Sequence, residues 1–168
     1  MPKRALLAVA AGTAIILVTA GSLIRPAPRL VWNASASAPE GLYAVVPTAS
    51  IGVGAMVIAR VPERYRSLAA ARHYIPRNVP LVKQVAAGPG DQICALGRDL
   101  YRNGIFLATR RAADGMGRAL PGWQGCVRLR DRQYFLLMAA APLSFDGRYF
   151  GPSDRKDILG QAHLLWAR

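Results

Sequence analysis

Hydrophobic positions fall into one long run near the start of the chain and a series of short runs after it. Residues 5 to 24, ALLAVAAGTAIILVTAGSLI, carry no charge and no proline. As a helix this segment rises about 30 Å, the thickness of a bilayer's hydrocarbon core, and it predicts an N-terminal transmembrane helix. Pro26 and Pro28 end the run, because proline inside a helix loses a hydrogen bond. Beyond them, LYAVVP (42–47), GAMVIARV (54–61), LVKQVAA (81–87), QICAL (92–96) and QYFLLMA (133–139) predict strands. Asn103-Gly104 predicts a two-residue hairpin turn joining DLY to IFLA. Glu63 to Tyr74, ERYRSLAAARHY, is rich in alanine and arginine and predicts a single helix. The whole pattern predicts a mainly β, compact barrel-like or sandwich domain with one short helix at 25–168. Residues 1–24 form its membrane stalk.

Charge around the long run barely sets its orientation: Lys3 and Arg4 precede it, Arg25 and Arg29 follow it, and a cytoplasmic N-terminus is only slightly favoured. The alternative to a retained anchor is a cleaved signal peptide, with Val18-Thr19-Ala20 as its small-residue cleavage site. Either way residues 25–168 lie outside the cytoplasm, and in such a compartment Cys94 and Cys126 can form a disulfide; the alternative is two unpaired buried thiols.

Composition narrows the classes further. A chain of 168 residues supports one domain with a modest core, and 52% apolar residues exclude disorder. Two cysteines and two histidines match no zinc pattern and no histidine-rich metal site. A net charge of +13 and a pI near 11.0 point to a phosphate-rich partner, either nucleic acid or anionic lipid.

The basic residues are 19 arginines and 3 lysines. Lys3 and Lys156 lie near the ends, so Lys83 stands alone in the body of the domain, within VPLVKQVAAGPGD. A guanidinium cannot lose its proton in a protein, whereas a desolvated amine can and then serves as a general base. The alternative is an edge-strand lysine facing solvent. A base needs a nucleophile, and WNASASAPEGLY (32–43) offers Ser35 and Ser37 in a loop just after the apolar run. A serine–lysine dyad requires no histidine. The alternative is a Ser-Ala linker.

WNASASAPEGLY resembles the Asn-x-Ser/Thr-x-Ser-x-Pro-x-Gly-Leu-Tyr box of the TraF-type conjugal-transfer peptidases, relatives of bacterial signal peptidase I. LVKQVAAGPGD resembles that clan's lysine box. SFDGRYFGP (144–152) resembles its third box, and the three occur in the family's order. The resemblance implies a mainly β signal-peptidase-like domain with Ser37 as nucleophile, Lys83 as general base and Ser35 in the oxyanion hole. It implies that Ser144 orients the lysine amine and that Asp146 and Arg148 buttress the site. Cys94 and Cys126 fit a bridge of the kind exported relatives carry. The sequence departs from signal peptidase I in two ways that favour the TraF branch. One residue, Ala38, separates Ser37 from Pro39, and MAAAP (138–142) replaces the Gly-Asp-Asn-Arg-Asp stretch. Gly147 stands where the third box carries a serine.

The expected chemistry is acyl transfer without metal or cofactor, in an apolar groove that takes small side chains beside the cut. The implied substrate is an exported pilin-like precursor, its signal peptide removed at the periplasmic face of the bacterial inner membrane, with membrane lipid as the other partner. The rival is a membrane-anchored basic protein of a transfer system that contacts anionic lipid or DNA. Its support is Arg110-Arg111 and the alternation of Arg128, Arg130 and Arg132, which on a strand would form a basic stripe. The lack of interleaved aromatic residues argues against specific nucleic-acid binding.

Overall fold

The computed structural model describes residues 2–23 and 28–168. The chain begins with helix α1 (Pro2–Leu23). Within it the Thr13 hydroxyl donates to the Val9 carbonyl at 2.9 Å, so a polar group is satisfied inside an apolar helix. Among the described residues no helix is long and apolar enough to cross a membrane. The apolar run continues to Ile24, and that residue and the expected stop at Pro26 lie outside the described residues.

The strands follow as β1 (Leu30–Asn33), β2 (Gly41–Val46) and β3 (Met56–Ala59), then helix α2 (Glu63–Ala71). Next come β4 (Leu81–Ala87), β5 (Gln92–Leu96), β6 (Asp99–Arg102), β7 (Ile105–Thr109), β8 (Gly125–Arg128) and β9 (Gln133–Leu137). A four-residue helix α3 (Gly147–Phe150), β10 (Ser153–Asp154), a single 3-10 turn (Arg155–Asp157) and β11 (Ile158–Ala167) complete the order. The mainly β expectation holds. The described strands form two antiparallel sheets rather than a closed barrel, one of seven strands in the order β1-β2-β11-β3-β4-β9-β10 and one of four in the order β7-β6-β5-β8. They meet in a shared core, where Phe135 and Leu137 of the large sheet pack with Ile93, Ala95 and Leu100 of the small one.

The turn chemistry is as the sequence dictates. Asn103 and Gly104 both take positive φ, 50° and 81°, the left-handed pair that a tight hairpin between β6 and β7 requires. Cys94 and Cys126 face each other across β5 and β8 and are bonded, so the disulfide alternative holds and the free thiols do not.

Three expectations are corrected. Helix α2 stops at Ala71, because His73 turns left-handed (φ 58°) and Tyr74 reaches away to Asp114 instead of continuing the helix. Arg128, Arg130 and Arg132 do not share a strand face: β8 ends at Arg128 and the other two lie in the following turn, where Leu129 is drawn into the core and Arg132 takes φ 63°. Arg110 is buried, its guanidinium donating to the carbonyls of Trp123 (2.6 Å) and Gly97 (2.7 Å), so it contributes no surface charge to a basic patch.

Candidate active site

Strands β1 and β2 pair with Asn33 opposite Gly41, and residues 34–40 loop out between them. Ser35 is exposed and Ser37 half-buried at the tip of this loop. Their hydroxyl oxygens are 3.0 Å apart, and the Ser37 N–H donates to Ser35 Oγ at 3.4 Å. Gly41 permits the loop's return to the sheet: a Cβ there would lie 2.0 Å from the Trp166 carbonyl oxygen of β11.

Lys83 is on β4, an interior strand flanked by β3 and β9, and it pairs with Val57. It is 3% exposed, which eliminates the solvent-facing alternative. Its Nζ donates to Ser37 Oγ at 2.9 Å. Burial pushes the amine from 10.5 down to about 8; the nearby Asp146 carboxylate opposes that fall and the Arg148 guanidinium assists it. A lysine so placed reaches its neutral, proton-accepting form close to physiological pH, within hydrogen-bond reach of a hydroxyl.

The third segment supports this pair from behind. Asp146 and Arg148 are fully buried and joined by an ion pair at 2.9 Å. Arg148 also donates to the carbonyls of Met138 and Ala141, each at 2.7 Å, and Asp146 accepts from the Met138 N–H at 3.1 Å. The pair therefore pins the 138–141 turn that leads to Ser144. Ser144 is buried in the wall of the cleft that Lys83 and Ser37 also line. The resemblance implied a hydroxyl that orients the amine, yet Ser144 Oγ makes no hydrogen bond among the described residues, and the amine's hydrogen bond goes to Ser37. Gly147 fits its place for a steric reason: a Cβ would meet the Leu136 carbonyl oxygen at 2.8 Å and the Phe135 ring at 3.0 Å. The family's serine at this position would not fit.

The cleft has a volume of about 790 Å³. One wall comes from the α2–β4 connection, including Ile75, Val79 and Pro80, and another from Ala140 to Phe145. One end of it was not foreseen. Asp114 accepts from the Tyr74 hydroxyl (2.5 Å) and from Arg118 Nε (2.7 Å), which ties the 110–120 loop to the α2–β4 connection. Among the described residues no group of three His, Cys, Asp or Glu side chains converges as a metal site requires.

The family model described as "Signal peptidase, peptidase S26" matches residues 3–167. This chain belongs to the signal peptidase S26 family. It is accordingly a serine peptidase by family, and the three boxes fall inside the matched span. Two relatives of this S26 chain are plasmid transfer proteins TraF of Escherichia coli. One is 31% identical over 161 residues, covering 90% of this chain and 89% of the relative. The other is 32% identical over 160 residues, covering 89% and 88%. Among solved structures, a signal peptidase I from Enterococcus faecalis V583 is similar with a TM-score of 0.39 and 18% identity, over 67% of this chain and 96% of that one.

Proposed function

We propose that this S26 peptidase is a membrane-anchored serine endopeptidase with a Ser37–Lys83 dyad, which matures exported pilin-like precursors of a conjugation system. The observation that carries this reading is the 2.9 Å hydrogen bond between a deeply buried amine, lowered to about 8, and the Ser37 hydroxyl. Neutral Lys83 takes the Ser37 proton as its oxygen attacks the scissile carbonyl. The Ser37 N–H and the Ser35 hydroxyl hold the oxyanion, and Lys83 then protonates the leaving amine. Water resolves the acyl-enzyme. Residues 1–24 serve as anchor and 25–168 as the periplasmic peptidase domain; the uncharged run at 5–24 supports the first assignment and the Cys94–Cys126 bridge the second. The TraF relatives support a role in plasmid transfer.

The test is cleavage of a quenched-fluorescent peptide with alanine on the acyl side of the scissile bond, by the full chain in detergent micelles. Ser37→Ala and Lys83→Arg are expected to fold and to be inactive, because guanidinium cannot accept the serine proton. Wild-type cleavage rises with pH through about 8 and levels off above it, as the amine loses its charge. Undiminished cleavage by folded Lys83→Arg would remove the lysine from the mechanism.

A further inference from the structure

Asn33 closes β1 and is 7% exposed, its side chain on the inner face with that of Val31, whereas Leu30 and Trp32 face out. A buried amide must satisfy two donor hydrogens and an acceptor oxygen. Among the described residues every hydrogen bond of the Asn33 side chain goes to the loop that follows it. Oδ1 accepts from the Ser35 N–H at 3.1 Å. Nδ2 donates to the carbonyls of Ser35 (3.0 Å), Ala38 (3.1 Å) and Pro39 (3.0 Å), so one of its two hydrogens is shared. Two further bonds reinforce the arrangement: the Ala38 N–H donates to the Ser35 carbonyl at 3.3 Å, and the Tyr43 hydroxyl to the Pro39 carbonyl at 2.8 Å.

The loop is thus wrapped around a single side chain. Ser35 is held through both its N–H and its carbonyl, and Ala38 through its carbonyl. Ser37 lies between these two fixed points. Within residues 34–38 the only buried apolar side chain is that of Ala38, so packing does little to specify the backbone. Among the described residues the Asn33 side chain makes no hydrogen bond to Ser37 Oγ or Lys83 Nζ. An aspartate would keep the acceptor but turn a carboxylate toward three carbonyl oxygens. Alanine would take the donor from the Ala38 carbonyl and leave those of Ser35 and Pro39 with one each, from the Ala38 N–H and the Tyr43 hydroxyl.

We propose that Asn33 is a positioning residue for the acyl-transfer step, setting the backbone of Ser35 and Ser37 so that the nucleophile and the oxyanion donors face the scissile carbonyl together. This rests on the dyad reading above. The misplacement of a reacting group by about 1 Å can cost on the order of a hundredfold in rate. Asn33→Ala is therefore expected to lower kcat about ten- to hundredfold per folded molecule. KM should stay within about threefold, because the apolar walls at Ile75, Val79 and Pro80 and at 140–145 lie on other segments. The pH midpoint set by Lys83 stays put, because its burial belongs to β4.

The decisive measurement is a double-mutant cycle on kcat with Ser35→Ala, using the same peptide and the full chain in micelles. Both substitutions act through one loop, so their effects are expected to be less than additive; a merely stabilising Asn33 gives additive effects once the folded fraction is counted. Asn33→Asp, nearly the same shape, is expected to lose kcat as Asn33→Ala does, and it takes that variant's place in the cycle if alanine prevents folding. Additivity, or wild-type kcat in Asn33→Asp, overturns the inference while Ser37→Ala remains dead. Cleavage by Ser37→Ala at the wild-type rate overturns the dyad reading and this inference with it.

Discussion

An ammonium group inside a sheet is costly, and the depressed proton affinity of Lys83 measures that cost. A fall from 10.5 to about 8 corresponds to about 3 kcal/mol of destabilisation while the amine is charged. The sign follows from which state holds the proton more tightly. Below about 8 both folded and unfolded chains carry it, and the penalty is fully present. As pH rises from about 8 toward 10.5 the folded chain alone releases it, and stability recovers. Lys83→Met is accordingly expected to be inactive yet more stable than wild type by up to about 3 kcal/mol near pH 6. Urea unfolding of both proteins across pH checks this: the gap should shrink above about pH 8, and a gap independent of pH contradicts the burial account. At this scale the sequence was informative where chemistry restricts the residue type. A lone lysine among arginines and two serines before a proline marked the candidates, and the resemblance to the family box chose Ser37, which the fold sets against Lys83. Asn33 was visible only as the first letter of its box, since its role lies in carbonyls that converge after folding. Ser144 lies in the cleft wall without the expected hydrogen bond to the lysine amine, a matter of angles that no motif carries.

Elements were legible in proportion to their regularity. Strands β4 and β5 end where their apolar runs end, because Gly88-Pro89-Gly90 punctuates between them. Strands β8 and β11 were not read, for different reasons. The four residues of β8 include a glycine, and it pairs with β5 alone as an edge strand. In β11 the alternation of burial gives way to a fully exposed end, so no single period runs through it. The disulfide matters most at the β8 edge, which it fastens across 32 residues of sequence. Closing a loop of that size contributes roughly 3–4 kcal/mol by chain entropy. Cys94→Ser/Cys126→Ser is expected to lower Tm by many degrees and to leave the 2.9 Å Ser37–Lys83 contact in the other sheet intact. Calorimetry beside peptide cleavage at a temperature where both proteins are folded checks this. Equal Tm values, or a complete loss of cleavage in the folded variant, would contradict it.

For the molecule as a whole, +13 invited a search for an anionic partner, yet several arginines hydrogen-bond the protein's own backbone. Arg64 donates to the Phe150 carbonyl, Arg155 to those of Thr48 and Ile158, and Arg110 and Arg148 each to two more. The guanidinium fork is used as a tie for loop carbonyls, which composition cannot distinguish from a charged surface. Strand β11 has the largest structural reach. It lies between β2 and β3, pairing Gln161 with both Val46 and Val57. Gly160 allows that fit, since a Cβ would meet the Val46 carbonyl oxygen at 2.6 Å. Gly160→Val is expected to cost about 2 kcal/mol or more and to reduce cleavage and Tm together. Parallel thermal melts and peptide assays decide it, and wild-type melting would contradict the close fit. The position of β11 also imposes an order in time. The loop bearing Ser37 and the strand bearing Lys83 are synthesised first but joined through a strand that comes later. The proposed dyad cannot assemble until residues 158–167 have been made and inserted between them. Long-range pairings of this kind are the slow steps of folding. On the proposed dyad, the growing chain is therefore a latent hydrolase, with Ser37 and Lys83 held apart until synthesis has gone past the residues that join them.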